Sequence, residues 1–257
     1  MRHCAAMICV FRAFARVLPA FGLAFWLALQ PTTAGAEVAR VAVASNFSTA
    51  AKLLAAEFEA TSIHRIRLSS GSTGKLYSQL RLQAPFDAFL AADQERPRLL
   101  EAGGFAVAGS RFTYAVGRLV LWSPTADSVG PRDLERGEFR RIAIAQPALA
   151  PYGAAAIEVI ESLGLRATLE PKLVYGENIG QTFAFVASGN AELGFVAASQ
   201  LGDRAGARWL PPEASHLPVR QDAVLINADS MAAREFLAFL RSDAALALLH
   251  DFGYAPP

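Results

Sequence analysis

The chain has 257 residues, of which 53% are hydrophobic and 18% charged, and its formal net charge is +1. This near-neutral balance provides no polybasic surface for nucleic acid or for an anionic membrane, so we expect neither as a partner. Both cysteines, Cys4 and Cys9, lie close to the N-terminus, which leaves the remaining chain without a disulfide or a cysteine metal site.

The N-terminal segment resembles a secretory signal peptide. Three arginines without an acidic residue accompany an apolar run over 18–29, and Ala34-Gly35-Ala36 forms an A-x-A cleavage pattern. The apolar run is shorter than the about 20 residues that a membrane span requires. We predict a signal peptide over 1–36 with cleavage after Ala36, which removes three arginines and leaves 221 residues with a net charge of −2. The mature chain is expected in the periplasm as a monomer.

Strand and helix patterns alternate in the first part of the mature chain. The predicted elements are strands over 38–44, 65–69 and 86–92, and helices over 50–58, 73–82 and 95–102. Strands that alternate with helices predict a parallel sheet in an α/β domain.

A second alternating set follows a long strand-like run over 114–123. Its predicted elements are helices over 132–138, 152–163 and 179–188, and strands over 142–145, 173–175 and 193–197. A returning strand over 218–226 and amphipathic helices over 230–241 and 243–252 complete the chain. We therefore predict two lobes, with lobe I over 37–117 and 218–257 and lobe II over 118–217.

The loops after the predicted strands are rich in Ser, Asn, Gly and Tyr and poor in charge. In open α/β sheets, ligands bind beyond the carboxyl ends of the strands. The loop before the helix at 73–82 places Ser72 and Thr73 at a helix start, where main-chain N–H groups lack intrahelical partners and the helix dipole favours an anion. The alternative is that Ser72 or Thr73 only caps this helix.

The same residues also bear on catalytic and metal-binding alternatives. Ser72 and Lys75 satisfy S-x-x-K, the pattern of the serine acyl-enzymes of the penicillin-binding and β-lactamase type, but no K-T-G element follows, because the last lysine, Lys172, precedes Leu173. The mature chain has three histidines without metal-ligand spacing. We therefore favour a binding protein without enzymatic activity or a bound cofactor, and keep the serine acyl-enzyme as a lesser alternative.

Seven segments together resemble the molybdate-binding proteins of ABC importers, within the periplasmic type II solute-binding proteins. They are VAVASNF (41–47), SSGSTGKLYSQL (69–80), FLAAD (89–93), GSRFTYAVGRLVLWS (109–123), IAQPALAPYG (144–153), GENIGQ (176–181) and LGFVAASQ (193–200). The resemblance implies an α/β fold of two lobes with mixed sheets flanked by helices and a ligand cleft between the lobes. It implies molybdate or tungstate as ligand and a membrane permease as partner. The same fold binding sulfate or another tetrahedral oxyanion is the nearest alternative.

The resemblance also implies which residues hold the ligand as an oxyanion, with no metal atom coordinated directly by the protein. By position these are Ser45 and Asn46 in the first loop, Thr73 with Ser72 beside it in the second, the Tyr152 side chain, and the main-chain N–H of Ile179. Some members carry a tyrosine where this chain has Ala197, so that contact is expected to be missing or replaced. Asp93 is expected to cap the next helix and not to face the anion, because its charge would repel a dianion.

Overall fold

The computed structural model describes residues 35–257, so residues 1–34 of the predicted signal peptide lie outside the described residues. None of the helices in 35–257 has the length and apolar character that crossing a bilayer requires. The described strands are β1 (Val38–Ala44), β2 (Arg65–Gly71), β3 (Ala88–Leu90), β4 (Phe112–Gly117), β5 (Leu119–Ser123), β6 (Ile142–Ala145), β7 (Leu173–Gly176), β8 (Leu193–Ala197), β9 (Ala207–Trp209) and β10 (Val219–Leu225). The described α-helices are α1 (Ser48–Thr61), α2 (Thr73–Arg81), α3 (Glu95–Ala102), α4 (Pro131–Arg136), α5 (Pro151–Ser162), α6 (Arg166–Leu169), α7 (Ile179–Ala187), α8 (Met231–Phe239) and α9 (Asp243–Asp251).

The strands form two five-stranded mixed sheets. The first has the order β2-β1-β3-β10-β4, and the second has the order β7-β6-β8-β5-β9. Each sheet has a parallel centre, β2-β1-β3 in the first and β7-β6-β8 in the second. Antiparallel strands extend each centre on one side, β10 and β4 in the first sheet and β5 and β9 in the second. The expectation of parallel sheets from strand–helix alternation is therefore right only for the centres.

The predicted single run over 114–123 is two strands that belong to different sheets. β4 ends at Gly117 against β10, and β5 begins at Leu119 against β8. The apolar pattern continues through this point because both strands are buried, although their pairing partners differ. The chain therefore passes from the first sheet to the second at Arg118, and it returns between β9 and β10. The short strand β9 has no counterpart in the predicted elements.

Each sheet is covered by helices whose apolar side chains form its core. On the first sheet, Leu54 and Phe58 of α1 pack with Phe236 of α8, and the two phenyl rings meet edge to face at 5.5 Å. On the second sheet, Val159 and Ile160 of α5 belong to the same hydrophobic core as Ile144 of β6. Each of these side chains stabilises the fold by about 1.5–3 kcal/mol relative to exposure. These cores hold the strand ends, and the loops that follow them, in fixed positions.

Candidate functional site

Loops from both sheets meet and are joined by direct hydrogen bonds. The Gly74 N–H at the start of α2 donates to the Leu149 carbonyl before α5, at 2.8 Å. The Gly180 N–H in the first turn of α7 donates to Ser45 Oγ at 3.3 Å. Ser199 Oγ, just after β8, donates to the Asn46 carbonyl at 3.1 Å. The starts of α2, α5 and α7 and the short 3-10 helix Ser45–Phe47 therefore surround one region between the sheets.

The start of α2 presents two buried hydroxyl groups to this region. Ser72 is the residue before the helix, but its side chain makes no capping bond, and its Oγ has no hydrogen-bond partner among residues 35–257. Thr73 Oγ1 accepts the Ala92 N–H at 3.2 Å, which leaves the hydroxyl hydrogen of Thr73 available for donation. The capping alternative is therefore wrong for the Ser72 side chain. A buried hydroxyl without a partner costs about 1–3 kcal/mol, so the Ser72 hydroxyl is a group that a ligand would satisfy.

The first loop contributes a hydroxyl group, while the NH₂ group of its amide side chain is bound within the protein and Asn46 Oδ1 is buried without a partner among residues 35–257. Ser45 Oγ accepts the Gly180 N–H, so its own hydrogen can be donated. Asn46 is buried, and its Nδ2 donates to Gln221 Oε1 at 2.8 Å and to Tyr254 OH at 3.3 Å. Both amide hydrogens are thus used, which leaves the main-chain N–H of Asn46, in the first turn of a 3-10 helix, as its donor toward a ligand.

Tyr152 is fully buried near the start of α5 and is a hydroxyl donor. Its oxygen accepts a hydrogen bond from Gln221 Nε2 at 3.2 Å. Burial raises the pKa of Tyr152 well above the ordinary 10.0, so the phenol keeps its proton. The next residue is glycine because a Cβ there would lie 2.2 Å from the Ala145 carbonyl oxygen. The close approach of Gly153 to the end of β6 therefore sets the position of Tyr152.

Ile179 contributes through its main chain, while its side chain lies in the core. It is the first residue of α7, where no intrahelical carbonyl is available for its N–H. Asn178 Oδ1 caps the helix by accepting the Gln181 N–H at 3.0 Å, and Gln200 Nε2 donates to the Ile179 carbonyl at 3.1 Å. These two bonds hold the start of α7 in place and leave the Ile179 N–H without an intrahelical partner.

The charged groups that border this region form neutral pairs. Asp93 pairs with Arg96, and its Oδ1 accepts the Arg96 N–H at 2.9 Å, which confirms that Asp93 caps α3. Burial raises the pKa of Asp93, and the bonds and charge of Arg96 act against that rise. Arg96 Nη2 also reaches the Ala148 carbonyl on the other side at 2.8 Å. Lys75 and Glu177 form a second pair at 2.6 Å, again between the two sides. The donors that face the region between the sheets are therefore uncharged hydroxyl and main-chain N–H groups.

The serine–lysine pair required of an acyl-enzyme is not formed. Lys75 Nζ binds Glu177, and the Ser72 hydroxyl makes no bond to it. Without a lysine amine against its oxygen, Ser72 has no base to accept its proton. Residues 35–257 also contain no group of three or more His, Cys, Asp or Glu side chains that could hold a metal ion.

A surface groove of about 480 Å³ lies elsewhere on the first lobe, beside Arg40, Asp87 and Asn227. The Asp87 carboxylate accepts the Arg40 N–H at 2.7 Å and Asn227 Nδ2 at 2.9 Å. The residues that line the groove include no hydroxyl side chain, so the groove offers no set of donors comparable with the one between the sheets.

Three residues of the region were absent from the prediction: Tyr114, Gln221 and Tyr254. Gln221 Oε1 lies 3.0 Å from the Tyr114 hydroxyl, and the Tyr254 hydroxyl contacts Asn46 and Ser199. Gln221 carried a usable signal, since Gln221-Asp222 are two adjacent polar residues in the otherwise apolar strand β10. Tyr254, four residues from the C-terminus, carried no comparable signal.

Comparison with known proteins gives consistent matches over most of the chain. The family model for bacterial extracellular solute-binding proteins matches residues 39–255. The chain is 44% identical over 239 residues to the molybdate-binding protein of Rhodobacter capsulatus, covering 91% of this chain and 94% of that protein. It is also 44% identical over 234 residues to the molybdate-binding protein of Azotobacter vinelandii, covering 88% and 93%.

The solved structures agree with these sequence matches. The periplasmic molybdate-binding protein of Azotobacter vinelandii has a TM-score of 0.82 at 37% identity, covering 85% of this chain and 99% of that chain. The sulfate-binding protein of Mycobacterium tuberculosis, at 13% identity and a TM-score of 0.67, shares the fold alone. The predicted two-lobed α/β fold with mixed sheets is thereby confirmed.

Proposed function

We propose that this chain, which belongs to the bacterial extracellular solute-binding proteins, captures molybdate or tungstate in the periplasm for the permease of an ABC importer. The observation that carries the proposal is the meeting of uncharged donors from both lobes around the buried, unpartnered hydroxyl of Ser72. The 44% identity to two molybdate-binding proteins supports the choice of ligand. The predicted monomeric state and the cleavage after Ala36 stay predictions.

The donors we propose come from both lobes. They are the hydroxyls of Ser45, Ser72, Thr73 and Tyr152 and the main-chain N–H groups of Asn46 and Ile179. A hydrogen bond to a charged partner contributes about 1.5–3 kcal/mol, so several such bonds can hold a dianion without a fixed cation. The helix starts of α2 and α7 add favourable dipoles.

A set of donors alone favours anions that carry no proton. Molybdate, tungstate and sulfate are dianions at neutral pH, whereas phosphate is partly protonated and brings a hydroxyl that needs an acceptor. Burying that hydroxyl unmatched costs about 1–3 kcal/mol. Discrimination between molybdate and sulfate must then depend on the size of the cavity, because the metal–oxygen bonds are longer. The bonds between the lobes, such as Gly74 to Leu149, hold the two lobes together, and we propose that this closure excludes water from the ligand.

A thermal-shift and calorimetry panel of molybdate, tungstate, sulfate, phosphate and chromate tests the proposal. A ligand at 100 times its Kd stabilises the native state by about 2.7 kcal/mol, so molybdate and tungstate are expected to raise Tm clearly. Absence of molybdate binding would refute the proposal. An equal response to sulfate would leave a tetrahedral-oxyanion protein of broader specificity.

The assigned donors are tested by removing single hydroxyls. Ser72→Ala and Thr73→Ala are each expected to weaken molybdate binding roughly 10- to 150-fold, because each removes one charge-assisted bond. Ser188→Ala, at an exposed hydroxyl near the end of α7, is the matched control and should leave the affinity unchanged. A β-lactam adduct on Ser72, detected by mass spectrometry, would instead favour the acyl-enzyme.

A further inference from the structure

We propose that Gln221 is a positioning residue that holds the Tyr152 hydroxyl as a hydrogen-bond acceptor, so that the tyrosine donates its proton into the cleft. The inference rests on the proposed function and extends it, because it assigns the rejection of protonated anions to a residue behind the cleft. Gln221 itself is not proposed to contact the ligand.

The orientation of the Gln221 amide is set by the groups around it. Gln221 is completely buried on β10, and its Oε1 accepts Asn46 Nδ2 at 2.8 Å. The Tyr114 hydroxyl lies 3.0 Å from both Gln221 Oε1 and the Ala91 carbonyl oxygen, and its single hydrogen can be donated to only one of them. Its Nε2 therefore faces Tyr152 and donates to that hydroxyl at 3.2 Å. With this Asn46 orientation, turning the Gln221 amide over would bring its NH₂ group against the NH₂ group of Asn46. In this arrangement Asn46 Nδ2 directs Gln221 Nε2 toward Tyr152, while Asn46 Oδ1 is buried without a partner among residues 35–257.

A β-bulge aims Gln221 at this position. The pairing of β10 with β4 shifts between Gln221 and Asp222, so that Gln221 lies opposite Ala115 and Asp222 opposite Thr113. Bulges re-aim side chains and are enriched near functional sites. The neighbouring Asp222 carboxylate is held separately, by the Thr113 hydroxyl at 2.7 Å and by Arg111 at 2.5 Å. Gln221 therefore takes no part in the ion pair between Arg111 and Asp222.

Gly117 provides the space in which the bond forms. A Cβ at this residue, the last of β4, would lie 1.9 Å from the Tyr152 hydroxyl oxygen and 2.6 Å from Gln221 Nε2. Gly117 also immediately precedes the point where the chain passes between the sheets. The bond from Gln221 to Tyr152 therefore joins the two lobes at the crossing, and any side chain at residue 117 would displace it.

The direction of the Tyr152 proton decides which anions can be matched. Burial raises the pKa of Tyr152 well above its ordinary value, so the hydroxyl is protonated when a ligand arrives. Because Gln221 already donates to its oxygen, Tyr152 is a donor toward the cleft. An unprotonated oxyanion oxygen accepts this proton, whereas the hydroxyl of a protonated phosphate meets no acceptor at Tyr152.

The test measures the ratio of the Kd for phosphate to the Kd for molybdate by calorimetry. In Gln221→Leu the tyrosine oxygen is free to accept a proton, so the ratio is expected to fall about tenfold, the size of the penalty that is relieved. Gln221→Met, which keeps the length of the side chain, replaces Leu if the first variant does not fold.

Two further variants separate positioning from a general loss of structure. The double variant Gln221→Leu/Tyr152→Phe should have the same ratio of the two Kd values as Tyr152→Phe alone. The reason is that Gln221 affects this ratio only through the Tyr152 hydroxyl, which Tyr152→Phe removes. Tyr114→Phe removes a hydroxyl that contacts Gln221 but keeps Asn46 in place, so the ratio should stay unchanged.

The inference is overturned if Gln221→Leu and Gln221→Met keep the ratio of the unmodified protein. It is equally overturned if Gln221→Leu lowers the ratio by the same factor with and without the Tyr152 hydroxyl. Failure of the unmodified protein to bind molybdate at all refutes the proposed function instead, and the two failures are therefore distinguishable.

Discussion

A methyl group added at Gly74 tests whether closure of the two lobes completes the binding site. Gly74 lies in the first turn of α2, directly after Thr73, and faces the loop before α5 of the other lobe. A Cβ at this residue would lie 3.0 Å from Leu149 Cα, 3.2 Å from Leu149 Cδ2 and 3.2 Å from Arg96 Nη2. The Arg96 side chain can move, but the Leu149 main chain can retreat only if the lobes separate slightly. The methyl group of Gly74→Ala is therefore expected to push the two lobes apart.

The magnitude follows from these distances. Contacts near 3.0 Å require a shift of a few tenths of an ångström, and inserting a methyl group into a packed contact costs about 1–3 kcal/mol. Because the clash exists in the closed state, this cost weakens molybdate binding roughly 5- to 150-fold. The isolated helix gains up to about 1 kcal/mol from replacing glycine by alanine. The stability of the ligand-free protein should thus be unchanged or slightly higher while its affinity falls.

Calorimetry with molybdate and urea unfolding without ligand are the two measurements needed. The series Gly74→Ala, Gly74→Ser and Gly74→Val should weaken binding progressively, since each side chain is larger than the last. Gln79→Ala, on the exposed side of the same helix, is the control for helix propensity. Affinity within twofold of the unmodified protein for the whole series would refute the closure argument. So would a loss of affinity that merely follows a loss of ligand-free stability.

Three other predictions concern the contacts around the site. Lys75→Met removes an exposed ion pair with Glu177, worth about 0.2–1 kcal/mol, so binding should weaken less than about fivefold; an effect that persists in high salt would contradict this. Tyr254→Phe leaves buried partners of its hydroxyl, including Asn46 Nδ2, less satisfied, and should lower the free energy of unfolding by about 1–3 kcal/mol in urea titrations; an unchanged midpoint would refute it. Burial raises the pKa of Tyr152 and Tyr254 above 10.0, so the unfolded chain ionises first and stability should fall as pH rises above 10, by up to about 1.4 kcal/mol per pH unit for each tyrosine; a smaller slope in Tyr254→Phe checks the assignment.

Local patterns in the sequence were sufficient for most strands and helices and for the character of the site. The strand at 38–44 and the helix at 95–102 agree with β1 and α3 residue for residue. Ser72 and Thr73 could be placed at a helix start because the turn residues and the apolar spacing that follows them are encoded by near neighbours in the chain. The resemblance supplied the remaining donors, Ser45 and Asn46 in the first loop and Tyr152 and Ile179 in the other lobe.

The tertiary structure alone decided how these pieces pair. The run over 114–123 is uniformly apolar, and only its partners, β10 for one half and β8 for the other, divide it between two sheets. The aim of Gln221 depends on a bulge against β4, and Tyr254 reaches Asn46 across 208 residues of sequence. Periodicity reports which face of an element is buried. It does not report which distant residue lies against that face, because that choice is made by packing and strand register over the whole fold.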